Sequence, residues 1–101
     1  MKERSEHKQI YQLRQEMDEF LSPLYGHVAV TVTPRNELAI FAVDETFQGK
    51  EWTERVGDLL FYLEAEFSDA EYERITDFEL MTPAEAAQIA PRLLEPLPEL
   101  V

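Results

Sequence analysis

The sequence predicts a single α+β domain: a small antiparallel or mixed three-stranded sheet with helices packed on it, in the order α-β-β-α-(α)-β-α. Three observations carry this. Two stretches, Ile10 to Leu21 and Trp52 to Phe67, repeat apolar residues at helical period. Between them lie two strand-like runs separated only by a turn, His27 to Val32 and Leu38 to Val43. At 101 residues the chain has room for one core. Residues 1–91 are read as that domain, and 92–101 as a Pro/Leu-rich C-terminal tail.

The first helix is expected from about Ser5 to Leu21, with Ile10, Leu13, Met17, Phe20 and Leu21 on one stripe. Ser5 is placed to cap it, and Ser22-Pro23 to stop it. Val28, Val30 and Val32 then alternate with His27, Ala29, Thr31 and Thr33, the pattern of a half-buried strand. Thr33 to Glu37 has turn composition. Leu38 to Val43 is apolar on both faces, which suits a strand inside the sheet. After the loop Asp44 to Gly49, a second helix is expected from near Lys50 to Phe67, its core stripe being Trp52, Val56, Leu59, Leu60, Leu63 and Phe67. Ser68-Asp69-Ala70-Glu71 has the capping-box pattern and opens a short third helix. Phe78 and Leu80 alternate with Asp77 and Glu79 in a third strand over Ile75 to Met81. Thr82-Pro83-Ala84-Glu85 places a cap, a first-turn proline and an N3 glutamate, so a last helix should run until Pro91 interferes. The tail beyond it either straps its leucines onto the domain's own core or docks on another surface, which leaves a homodimer open.

Charge separates along the chain. The formal net charge is −12, from 21 acids against nine bases. Lys2, Arg4, Lys8 and Arg14 against Glu3 and Glu6 make residues 1–14 net +2, so the remainder is net −14. A field of that sign repels phosphate and anionic lipid and attracts basic surfaces. The expected partner is therefore a protein with a basic surface, not nucleic acid and not a membrane. No apolar run approaches the ~20 residues of a bilayer span. With a polar start and no cysteine, the chain reads as cytoplasmic.

The chemistry-bearing residues do not assemble into a motif. His7 and His27 lack a second histidine at ligand spacing. Ser5, Ser22 and Ser68 sit where caps and turns want them, and Gly26, Gly49 and Gly57 are too scattered for a phosphate loop. Glu16 and Glu19, with Glu51, Glu54 and Asp58, could hold a divalent ion only if two helices brought them together. A carboxylate metal enzyme is therefore the remotest alternative. No catalytic residue, metal ligand or cofactor is expected.

One stretch resembles a known family. Phe47-Gln48-Gly49-Lys50, then Glu54-Arg55 and Leu59-Leu60, follows a two-strand segment and opens a helix; Phe78 to Glu85 then reads as strand, Thr-Pro-x-Glu, helix. This resembles the BolA-like family over about residues 38–90. The resemblance implies a small α/β fold akin to type II KH domains, in a regulatory role. The chain departs from the family at Val56, where the family's helix carries the histidine tied to iron–sulfur partnership with glutaredoxins. Its acidity also departs from the family's basic nucleic-acid face. Neither role carries over.

The functional expectation is a non-catalytic protein–protein interaction module: an adaptor, regulator or inhibitor of a basic partner. The alternative is a BolA-like or KH-like regulatory domain. Any binding surface is expected on the acids of the second helix and the loop after it, Glu51, Glu54, Asp58, Glu64, Glu66 and Asp69, with Phe61 and Tyr62 as apolar anchors.

Overall fold

The structure, a computed structural model, describes residues 9–94, with side chains to residue 89. The elements are α1 (Ile10–Leu21), β1 (His27–Val32), β2 (Leu38–Val43), a 3-10 turn (Glu45–Phe47), α2 (Trp52–Glu66), α3 (Asp69–Tyr72), β3 (Ile75–Met81) and α4 (Pro83–Leu94). This is the expected order, and the sheet is mixed.

Sheet order is β1-β2-β3. β1 and β2 form an antiparallel hairpin with Val30 opposite Ile40. Its turn is held by Thr33, whose hydroxyl accepts the amides of Arg35 and Glu37, and Asn36 supplies the positive φ of 65°. β3 runs parallel to β2, with Phe78 beside Ile40. Parallel neighbours need a long crossover, and α2 with α3 provides it. The two-faced apolar run of β2 is the central strand, with one face buried and the other half-buried.

Val30, Leu38, Ile40, Ala42, Ile75 and Leu80 are buried on the strands, and Leu13, Met17, Leu21, Leu59 and Leu63 are buried on the helices. Together they form one core. The alternation along each strand leaves Ala29, Phe41 and Glu79 in register on the opposite face. His27 opens β1 there, exposed, with its ring edge-on to Phe41 at 5.9 Å.

Helix side chains bond to backbone groups on both edge strands. On β1, Arg14 Nη1 donates to the Val30 carbonyl at 3.0 Å, while the Val30 amide donates to Asp18 Oδ2 at 3.1 Å. On β3, Trp52 Nε1 donates to the Phe78 carbonyl at 3.1 Å and Arg55 Nη1 to the Leu80 carbonyl at 2.8 Å. Unpaired strand edges invite further pairing, and these four bonds occupy edge groups at Val30, Phe78 and Leu80. Asp18→Ala should cost about 1–2 kcal/mol through the lost charge-assisted bond. Urea unfolding measures that loss, and faster amide exchange at Val30 locates it.

Four expectations are corrected. Trp52 is not core but 53% exposed; its indole N–H is held at the β3 edge by the Phe78 carbonyl. α1 begins at Ile10, with Gln9 at the N-cap and no side-chain cap; Ser5, like His7, lies outside the described residues. α2 begins at Trp52 rather than Lys50, because Gly49 (φ 80°) and the bond from the Lys50 amide to the Phe47 carbonyl (3.1 Å) still form a turn there. α4 continues through Pro91 to Leu94, although an interior proline removes one amide from the helical ladder and crowds the carbonyl four residues back. The Ser68–Glu71 and Thr82–Glu85 caps form as expected. The tail beyond residue 94 lies outside the described residues. Among the described residues, no helix is long and apolar enough to cross a membrane.

Candidate functional site

The site is built where the chain enters β1 and leaves β2. Asp44, just past β2, accepts the Gly26 amide at 2.7 Å and the Thr46 amide at 3.0 Å, and also takes the Thr46 hydroxyl. Burial pushes its carboxyl up, but the bonds from Thr46 and Gly26 outweigh that and hold it below the usual range. A side chain at Gly26 would crowd this joint, its Cβ lying 3.2 Å from the Val43 carbonyl oxygen. This clamp brings Tyr25, ahead of β1, against Phe47, at the end of the 3-10 turn.

The two rings stack at 5.3 Å with an interplanar angle of 29°. Tyr62 meets Tyr25 edge-on at 6.1 Å, and Phe61 meets Tyr62 at 6.0 Å. The rings line a cleft of about 360 Å³, rimmed by Leu24 and Thr46. Across its mouth, Lys50 Nζ pairs with Asp58 at 2.7 Å. The ring series runs outward from Phe47, 1% exposed, through Tyr25 at 8% and Tyr62 at 41%, to Phe61 at 72%. Among the described residues, the Tyr25 hydroxyl is the buried side-chain polar atom without a hydrogen-bond partner. Burial, then the fields of Tyr62, Asp58 and Asp44, push its phenol well above the ordinary tyrosine range.

Behind the cleft lies a buried cation. Arg55 reaches the Lys50 carbonyl through Nε at 3.0 Å and the Leu80 carbonyl through Nη1 at 2.8 Å, and it grips both oxygens of Glu85 at 2.8 and 3.2 Å. Its guanidinium lies 5.8 Å from the Phe47 ring centroid. It thus ties the start of α2 to the end of β3 and the first turn of α4. The bond from Arg55, joined by the Thr82 amide, holds the Glu85 carboxyl down at about 2.

The eight residues expected at the site divide. Asp58, Phe61 and Tyr62 come together at the cleft. Glu51 and Glu54 sit at the start of α2, where the Glu54 carboxylate accepts the Glu51 amide at 2.9 Å. Glu64 is exposed further along α2. Glu66 borders a separate groove with Glu16, Glu19 and Phe20, and Asp69 accepts the Tyr72 hydroxyl at 2.9 Å. Sequence reasoning missed Tyr25, Phe47, Lys50 and Arg55. The signal for Arg55 was its place four residues before Leu59 and eight before Leu63 on one helical stripe. For Phe47 it was a large apolar residue in an otherwise polar loop. Among the described residues, no group of three or more His, Cys, Asp or Glu side chains is gathered for a metal.

Fold and site define a small helix-backed α+β domain whose surface carries an acidic helix face with an aromatic cleft beside it. No protein-family model, no curated protein and no solved structure matches the chain.

Proposed function

We propose that this chain is a non-catalytic interaction module that engages a basic protein surface through the outer face of α2. The observation that carries this is Phe61, 72% exposed with Asp58 and Glu64 one helical turn to either side. A lone exposed apolar residue is ordinary. A phenylalanine set against a half-exposed tyrosine and rimmed by carboxylates has the make-up of an interface anchor with a polar rim. Three cations are paired with acids: Arg14 lies 3.8 Å from Asp18, Lys50 is bound to Asp58 and Arg55 to Glu85. Cations so engaged neutralise their own acids and leave the other carboxylates to set the potential.

Affinity capture from the native cell, with wild type and Phe61→Ala at low and high salt, tests this. The substitution should change stability by less than about 0.5 kcal/mol, because Phe61 supports no core. It should nevertheless release a basic partner that wild type retains, and salt should weaken the wild-type complex steeply. A partner held equally by both proteins and at both salt concentrations would contradict the reading.

A BolA-like regulatory domain is the second reading. What favours it is that the resembling segments adopt the turn and cap conformations their letters suggest, with Gly49 at φ 80° and Thr82 paired to Glu85. A mobility shift with single-stranded RNA supports that reading; no shift removes its nucleic-acid form.

A further inference from the structure

We propose that the cleft beside α2 receives an arginine side chain of the partner, its guanidinium lodged between the aromatic rings and the Asp58 carboxylate. This rests on the reading of the chain as a module for basic partners and names the group that the site takes.

Three features select arginine. The cleft walls are aromatic faces and edges, with Tyr25 and Phe47 stacked and Tyr62 and Phe61 set at steep angles to their neighbours. A planar guanidinium stacks on such walls better than an ammonium does. At the mouth stands Asp58, half exposed and already holding a cation, Lys50. A surface pair of this kind is weak, and the Lys50 stem is long enough to swing its ammonium into water when a bidentate group arrives. Inside is the Tyr25 hydroxyl, on a residue 92% buried by its 8% exposure, with no partner among the described residues. A buried polar group left without a partner is costly in the free protein, and a guanidinium offers N–H donors that its oxygen can accept. The carboxylates of Asp58 and Asp44 make the field around that hydroxyl negative. The net charge of −14 beyond residue 14 supplies long-range attraction.

Titration with tetra-arginine, tetra-lysine and tetra-citrulline amides, followed by side-chain NMR signals of Tyr25, Phe61 and Tyr62, separates this from general electrostatics. Tetra-arginine should bind about 5–10-fold more tightly than tetra-lysine, which has the same charge. The uncharged citrulline peptide should not bind measurably. Tyr25→Phe keeps the stacked ring and removes the orphaned hydroxyl, so its melting temperature should hold or rise while tetra-arginine affinity falls about 3–5-fold. Asp58→Asn should erase most of the arginine preference. Equal affinity for the two cationic peptides, or a preference indifferent to both substitutions, overturns the cleft assignment and leaves the acidic-module reading standing. Failure of both cationic peptides to bind even at low salt overturns the two together.

Discussion

Arg55→Ala should lower folding stability by about 3 kcal/mol, a large share of the ~5–15 kcal/mol that holds a domain of this size. The side chain is only 10% exposed and makes four hydrogen bonds. Truncation strands the Lys50 and Leu80 carbonyls where water reaches them poorly, and unmade buried bonds are what make such substitutions costly. It also frees the first turn of α4 from β3, because Glu85 loses the cation it shares with the Thr82 cap. Glu85→Gln should cost less, since half of the Glu85 side chain is open to water and the amide oxygen can still accept. Urea unfolding of the two variants beside wild type reads the difference. An Arg55→Ala midpoint equal to wild type would show that the guanidinium is dispensable.

The same pair sets an acid response. The Glu85 carboxyl is held at about 2 in the folded chain against an ordinary value of 4.5. A depressed carboxyl stabilises the fold fully above its unfolded value and loses that contribution as pH falls toward the folded one. The window is therefore pH 4.5 down to about 2. Solvent at the exposed half of Glu85 screens the magnitude, so the shape of the curve is the readout. Wild-type stability should fall across that window with a slope that Arg55→Ala flattens.

Phe47→Ala should be the most damaging single truncation near the cleft, at about 3–4 kcal/mol. Phe47 is 1% exposed, stacks on Tyr25, and carries the Arg55 guanidinium 5.8 Å from its centroid. Removing it opens a void that the clamped Asp44 segment cannot close, because Asp44 is bonded to Gly26 and Thr46. Tyr25 then loses its stacking partner and the cleft its back wall. Chemical denaturation measures the loss, and a weakened near-ultraviolet tyrosine signal shows the cleft loosening. Phe47→Leu keeps most of the volume and should cost about 1 kcal/mol.

The fold was legible because local signals agree with the tertiary solution. The stripe of Leu13, Met17 and Leu21, the valine alternation of β1, the two-faced run of β2 and the caps at Ser68 and Thr82 each recur in the structure. Trp52 misled because periodicity reports which way a residue faces, not whether that position meets the core or the edge of the sheet. Pro91 misled because a proline's disruption depends on the helix around it. The site was legible only in its exposed half. Asp58, Phe61 and Tyr62 share one helix, so their proximity follows from spacing. Tyr25, Phe47 and Lys50 come from the segments flanking β1 and α2, and the Asp44 bonds, the ring stack and the Lys50–Asp58 pair draw them there. Arg55 was hidden by its charge: such residues are read as surface, although one with four hydrogen bonds to three residues can be buried.

The central claim is a surface that draws cations to the outer face of α2. Paramagnetic relaxation by a cationic and an anionic nitroxide, compared amide by amide, measures that potential directly. The cationic probe should relax the amides from Asp58 to Glu66 several-fold more strongly than the anionic one. Equal relaxation by the two probes along that helix, or stronger relaxation by the anion, would contradict the account.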